Sequence, residues 1–173
     1  MVGKPNAGKS TLLSRISRAT PKVADYPFTT LEPQLGILEL GGHRRMVVAD
    51  IPGLIEGAHT GAGLGHDFLR HSERTRVIVH VLEVSPSDGG DPIENYHVIR
   101  NELARHSTEL AMKPEIIALN KMDLELTDED RQTAVDLIQD ELNLPVFPIS
   151  AVSGYGLTDV FEKCWKALRR EDD

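Results

Sequence analysis

The stretch GKPNAGKS, Gly3 to Ser10, decides the fold of this 173-residue chain. It matches the pattern G-x-x-x-x-G-K-[ST], in which a tight glycine-containing turn points backbone N–H groups at phosphate oxygens beside a helix N-terminus. In this pattern Lys9 neutralises the outer two phosphates, and the Ser10 hydroxyl can ligate magnesium. By itself the pattern indicates a nucleotide without saying which base it carries.

Around this loop, short apolar runs alternate with longer helical patterns. The alternation is typical of an α/β fold with a mostly parallel sheet and helices on both faces. Two of the apolar runs flank Gly41 and Gly42, so they should form a hairpin that makes one edge strand antiparallel. The predicted strands are LGILEL (35–40), RMVVAD (45–50), RVIVHVLEV (76–84), EIIALN (115–120) and LPVFPIS (144–150). The predicted helices cover 91–111, 128–142 and 157–170.

The composition fits one globular domain over residues 1–173, with 40% hydrophobic and 27% charged residues. The formal net charge of -8 argues against generic DNA or RNA backbone binding, which needs clustered Lys and Arg. The single cysteine, Cys164, lies in a helical pattern and is expected to be a small core residue. The sequence has neither a leader-like start nor an apolar run near the ~18 residues of a membrane span. We expect a cytoplasmic monomer without membrane contact.

The tetrapeptide NKMD, Asn120 to Asp123, follows the apolar strand EIIAL, at the end where open parallel sheets bind ligands. The Asp123 carboxylate can accept from the ring N–H and the exocyclic amine of guanine, a pattern that adenine does not offer. The stem of Lys121 can cover the base, and Asn120 can tie this loop to the phosphate loop. The alternative for NKMD alone is a polar turn after a strand. Together with the phosphate loop and ISA (149–151), the motif favours guanine.

Residues between these motifs can sense a third phosphate. Asp50 ends the strand RMVVA and can hold magnesium through water, and the N–H of Gly53 can bond the γ-phosphate. Thr29 or Thr30 could complete the magnesium shell, and spacing alone does not decide between them. Their alternative is a β-branched pair entering a strand. The acidic run TDED (127–130) is better explained as a helix start, with Thr127 as N-cap, than as a metal site.

Taken together, the segments GKPNAGKST, ADYPFTTLEPQLG, DIPGLIEGAHTGAGLGHDFLRH, NKMD and ISA resemble the GTPase domain of the Obg family. The resemblance implies a Ras-like P-loop fold, binding of GTP and GDP with magnesium, slow GTP hydrolysis, and a role in maturation of the large ribosomal subunit. It implies that Ser10, Thr30 and Asp50 hold the metal, and that Lys9, Thr30, Gly53 and Asn6 act in catalysis. The implied nucleotide contacts are Gly3, Lys4, Pro5, Asn6, Ala7, Gly8, Lys9, Ser10, Thr11, Phe28, Thr29, Thr30, Leu31, Glu32, Asp50, Ile51, Pro52, Gly53, Asn120, Lys121, Met122, Asp123, Ser150, Ala151 and Val152.

Two features depart from the family pattern. The family carries a glycine-rich domain before the GTPase domain, whereas this sequence starts two residues before the phosphate loop. The strand that should precede the phosphate loop is reduced here to MV. A central parallel strand normally needs ~5 apolar residues. We therefore expect a GTPase domain truncated at its N-terminus.

Leu54 stands where Ras-like enzymes that use an intrinsic glutamine orient the attacking water. In related GTPases an asparagine at the position of Asn6 helps to hold potassium against the phosphates, and the alternative is that Asn6 only caps its loop. Polar side chains of the glycine-rich tract, or a partner, could instead supply the missing group. The candidates in the tract are Glu56, His59, His66 and Asp67.

Three functions remain open from the sequence. The first is a magnesium-dependent GTPase of low turnover. The second is a binding module in which the GTP state orders a surface for a ribosomal or protein partner, because a glycine-rich tract suits a segment that reorganises on loss of the γ-phosphate. The third is a P-loop ATPase.

Overall fold

The computed structural model describes residues 1–17, 22–23, 34–51, 74–124 and 127–170. The strands are β1 (Lys22–Val23), β2 (Gln34–Leu40), β3 (Arg44–Asp50), β4 (Ile78–Glu83), β5 (Glu115–Asn120) and β6 (Val146–Pro148). The α-helices are α1 (Lys9–Ile16), α2 (Pro92–His106), α3 (Thr108–Ala111), α4 (Asp128–Leu142) and α5 (Leu157–Arg170). A 3-10 turn covers Met122–Leu124.

The strands form two groups of three. β1, β2 and β3 are antiparallel neighbours, with Ile37 opposite Val47 in the β2–β3 hairpin. β4, β5 and β6 are parallel neighbours, with Ile117 opposite both His80 and Val146. The predicted hairpin is therefore present, and its turn uses a positive φ of 74° at Gly42. The short β1 was not predicted, and it places the antiparallel strand β2 inside its group rather than at the edge.

The first two residues of the chain join these groups. The Met1 carbonyl accepts from the Ile51 N–H at 3.0 Å, and Val2 exchanges hydrogen bonds of 2.9 and 2.8 Å with Val79 and Val81. The pairing of Val2 with β4 is parallel. The residues MV therefore lie where a strand feeding the phosphate loop belongs, between β3 and β4, and Val2 is fully buried.

Helices cover both faces of the sheet because each carries an apolar stripe at helical spacing. Leu12 and Leu13 of α1 pack in one cluster with Phe161 and Cys164 of α5. The opposite face holds two clusters, one with Ile99 of α2 and one with Ile138 of α4. This arrangement is the α/β architecture that the sequence predicted, and Cys164 is a buried core residue as expected.

The helix starts follow the local capping chemistry. Thr127 accepts a hydrogen bond from the Asp130 N–H and caps α4, as predicted for TDED. The prediction of one helix over 91–111 was wrong, because the chain is extended at Ser107, which ends α2 and caps α3 by accepting from the Leu110 N–H. No described helix is long and apolar enough to cross a membrane.

Candidate functional site

The phosphate loop runs from the buried Val2 to the first turn of α1. Asn6 and Gly8 have positive φ angles of 67° and 100°, so the loop turns through backbone conformations that favour glycine and asparagine. A Cβ at Gly8 would lie 2.3 Å from Asn120 Nδ2. Glycine is thus needed here for close approach between loops as well as for its backbone angles. Ser10 is exposed in the first turn of α1.

Lys9 folds back over its own loop. Its Nζ donates to the carbonyls of Gly3 at 2.9 Å and Lys4 at 3.3 Å. Burial lowers the pKa of Lys9, and the charge of Asp50 partly opposes that shift. The ammonium group is therefore held at the loop by neutral acceptors, in a position to exchange them for phosphate oxygens.

Asn120 joins the three loops that the sequence motifs define. It ends β5 and is buried. Its Nδ2 donates to the Ala7 carbonyl of the phosphate loop at 2.8 Å, and its Oδ1 accepts from the Ala151 N–H at 2.9 Å. One amide group thus bonds a backbone acceptor and a backbone donor in loops more than a hundred residues apart in sequence. These two bonds fix the distance between the two loops in space.

Asp123 and Ser150 meet at the exposed edge of this junction. The Ser150 hydroxyl donates to Asp123 Oδ1 at 2.7 Å and accepts from the Ser153 N–H at 3.1 Å. Because a carboxylate oxygen can only accept, the hydroxyl proton points to Asp123. This bond orients Asp123 while leaving its carboxylate exposed. Val152 is 69% exposed beside the buried Ser150 and Ala151.

Two lysines of these loops are held by the end of β4, the loop after it and the start of α2. Lys121 has a positive φ of 68°, and its Nζ lies 3.0 Å from Oε2 of the buried Glu83. Lys4 Nζ donates to Asp88 and Asn95 at 2.9 Å each. The sequence analysis missed these partners, because a carboxylate at the end of a strand and one in a Ser–Asp–Gly loop carry no motif.

Asp50, at the end of β3, faces Lys9 across the phosphate side of the site. Its side chain is buried, and Oδ1 has no hydrogen-bond partner among the described residues. Burial raises the pKa of Asp50, and Lys9 partly opposes that effect. A buried carboxylate oxygen without a donor is costly unless a cation or water satisfies it, so Asp50 fits a role in holding magnesium.

Several predicted site residues lie outside the described residues. They include both threonines that could complete the magnesium shell, so the choice between Thr29 and Thr30 stays a prediction. The same holds for Leu54 and for the polar residues of the glycine-rich tract. The residues concerned are Phe28, Thr29, Thr30, Leu31, Glu32, Pro52, Gly53, Leu54, Glu56, His59, His66 and Asp67.

Comparison with known sequences places the site in a family. The profile of the family described as 50S ribosome-binding GTPase matches residues 1–121. The chain is 52% identical over 168 residues to GTPase Obg of Desulfitobacterium hafniense (strain DSM 10664 / DCB-2), a match that covers 97% of the chain and 39% of that protein. It is 50% identical over 166 residues to GTPase Obg of Aquifex aeolicus, covering 96% of the chain and 48% of that protein. The chain thus spans less than half the length of either relative.

Comparison with solved structures supports the fold. The G domain of the Thermotoga maritima FeoB iron transporter matches with a TM-score of 0.68 at 20% identity, over 96% of this chain and 95% of that one. A GDP-bound Streptococcus thermophilus NFeoB variant matches with a TM-score of 0.64 at 24% identity, over 93% and 58% of the two chains. The chain therefore belongs to the 50S ribosome-binding GTPase family, which confirms the resemblance to Obg-type GTPase domains that its motifs predicted.

Proposed function

We propose that this chain binds GTP and GDP with magnesium and hydrolyses GTP slowly to GDP and phosphate, as a nucleotide switch. The observation that carries the proposal is the junction at Asn120, whose amide joins the phosphate loop at Ala7 to the loop of Ala151. A turn that only capped a strand would have no need to bridge two distant loops. The bridge supports the proposal because it holds the phosphate loop against the loop that carries Asp123, so that one nucleotide could reach both.

On the base side, Asp123 accepts from the ring N–H and the exocyclic amine of guanine. Ser150 keeps its carboxylate oriented through the 2.7 Å hydrogen bond. The ion pair with Glu83 holds Lys121, whose aliphatic stem lies along the base. Since adenine presents the opposite donor and acceptor pattern, this side selects GTP over ATP.

On the phosphate side, backbone N–H groups of the phosphate loop and the ammonium of Lys9 receive the phosphates. Ser10 and Asp50 would hold magnesium, with Thr30 as the third protein ligand that the family resemblance implies. Phosphate oxygens and water would complete the magnesium shell, since Mg²⁺ is usually bound by only one or two carboxylates together with these ligands. When bound, magnesium supplies charge that stabilises the transferring phosphoryl group.

The decisive experiment is a titration of the chain with fluorescent GTP, GDP and ATP in buffers with and without magnesium. We expect tight binding of both guanine nucleotides, at least 100-fold weaker ATP, and GTP binding that weakens when magnesium is removed. ATP binding as tight as GTP binding would replace the proposal by a P-loop ATPase. Release of phosphate from bound GTP, followed in a single turnover, then tests hydrolysis.

The binding-module alternative differs only in hydrolysis, because both functions use the same site. The glycine-rich tract from Gly53 to Gly65 suits a segment that orders with the γ-phosphate. Family membership supports a ribosomal partner, and we propose the large ribosomal subunit, a cytoplasmic location and a monomer in solution. Turnover measured with and without large subunits separates the cases: a slow rate that subunits raise supports the switch, and fast turnover of the free chain contradicts it.

Because Leu54 cannot orient water, we also propose that Asn6 helps to hold potassium against the phosphates. Asn6 is exposed in the phosphate loop with a backbone φ of 67°, which supports the proposal because its side chain is not buried in the core. A cation there would supply the positive charge that an arginine supplies in other GTPases. A ribosomal or protein partner is the alternative source of the missing group.

A further inference from the structure

Arg131, in the first turns of α4, lies outside every motif of the nucleotide site, yet it contacts both loops of the base side. Its Nε donates to the Met122 carbonyl at 3.1 Å. Its guanidinium lies 5.6 Å from the centre of the Tyr155 ring. Its Nη1 donates to Asp128 at 2.8 Å. One side chain therefore spans from the loop of Asp123 to the loop that follows Ser150.

Both ends of this span lie next to the groups that recognise the base. Met122 is buried beside Asp123, and its N–H donates to the Ile149 carbonyl at 3.1 Å. The Tyr155 carbonyl accepts from the Ser150 N–H at 3.0 Å, so Tyr155 closes the turn that carries the Ser150 hydroxyl. A change in either contact of Arg131 would therefore be transmitted to the Ser150–Asp123 pair.

We propose that Arg131 is a positioning residue for base selection: it fixes the Asp123 loop against the Ser150 loop, and Tyr155 is its aromatic support. The planar guanidinium suits this task because it donates in a fixed plane while its face stacks on an aromatic ring, which a lysine ammonium does not do in the same geometry. The inference rests on the proposed binding of guanine nucleotides and adds a determinant of its selectivity.

The test compares GDP with IDP, which lacks the exocyclic amine that Asp123 accepts from. The ratio of the two dissociation constants reports on the position of Asp123, whereas general loosening of the domain weakens both nucleotides alike. For Arg131→Met and Arg131→Lys we expect GDP affinity to fall about fivefold, the effect of one lost hydrogen bond. IDP affinity should fall less, because IDP offers Asp123 only the ring N–H. For Tyr155→Leu we expect a smaller loss in the same direction, and for Tyr155→Phe none.

A double-mutant cycle with Asp123→Ala separates positioning from direct binding. If Arg131 acts through Asp123, Arg131→Met should cause no further loss of GDP affinity in the Asp123→Ala background. Gln132→Ala is the matched control, since Gln132 is an exposed neighbour on α4 that bonds Asp136 of the same helix. This control should bind both nucleotides like the unaltered chain.

Three results would overturn the inference: equal weakening of GDP and IDP by both Arg131 variants, no change with either, or an unreduced loss in the Asp123→Ala background. The unaltered chain is measured first. If it binds no guanine nucleotide, the proposed function itself fails. If it binds GDP tightly and the GDP-to-IDP ratio is insensitive to Arg131, only the role of Arg131 fails.

Discussion

The two sides of the site differ in how far the protein satisfies its own polar groups. On the base side, Asn120, Asp123 and Ser150 are joined by hydrogen bonds within the chain. On the phosphate side, Asp50 Oδ1 is buried without a described hydrogen-bond partner, and Lys9 is held by backbone carbonyls. The base side is thus already joined within the chain, whereas the phosphate side keeps charges that the proposed nucleotide and cation would complete.

The largest effect is expected from removing the charge at Lys9. Lys9→Met should weaken GDP and GTP by about 100- to 1000-fold, because two charged hydrogen bonds to phosphate are worth about 3 to 4 kcal/mol together. Lys4→Met is the control, since Lys4 is already paired with Asp88 and Asn95. Nucleotide titration measures both variants. Equal losses of affinity would show that the two lysines share the phosphates, and would contradict the distinction between a lysine paired within the chain and one available to the ligand.

A change on the base side should alter selectivity as well as strength. Asp123→Asn replaces an acceptor by a donor opposite the guanine amine, at a cost of about 1 to 3 kcal/mol for each mismatched group. GTP affinity should fall by about 10- to 100-fold while affinity for xanthosine nucleotides rises, as competition titrations would show. Unchanged GTP binding would remove Asp123 from the base site.

A comparison of potassium with sodium tests whether GTP hydrolysis on the phosphate side needs a second cation besides magnesium. GTP turnover at fixed ionic strength should be several-fold faster in potassium than in sodium, and Asn6→Ala should remove the difference. Phosphate release measured in both salts decides this. Equal rates would leave a partner as the source of the group that Leu54 lacks.

The smallest effects concern the stability of the free chain, and the two sides should respond with opposite sign. Without nucleotide and magnesium, Asp50→Asn should raise the melting temperature by about 2 to 4 °C, because it removes a buried charge that Lys9 compensates only in part. Ser150→Ala should lower it by about 2 to 6 °C, because it breaks two hydrogen bonds. Shifts of the same sign would contradict the comparison.

The pH dependence provides a further check on Asp50. Burial raises its folded-state pKa above the usual value of an aspartate, so the folded chain holds this proton more tightly than the unfolded chain. The stability penalty is therefore absent below about pH 4 and grows as the pH rises through the folded pKa. The gain from Asp50→Asn should disappear in acid and be complete once the pH exceeds the folded-state pKa of Asp50, as melting curves at several pH values would show.

Much of the fold could be predicted because the information is local. The strand EIIALN was predicted with the bounds that the structure shows, and α4 begins where Thr127 supplies a side-chain cap. The split at Ser107 was missed because apolar spacing continues across it, and an extended residue leaves no mark in that pattern. The two-residue β1 is too short to produce any alternation.

By itself, the sequence determined the family, the phosphate-loop chemistry and the guanine motif, because each rests on a contiguous run whose backbone and side-chain requirements are local. Only the tertiary structure decided which distant groups complete the site. It brought together the hydrogen bond of Asn120 to Ala7, the ion pair of Lys121 with Glu83, and the contact of Arg131 with the Tyr155 ring. Such pairs depend on how parallel strands and helices bring loop ends together, and no spacing along the chain encodes a contact between an ordinary arginine and an ordinary tyrosine.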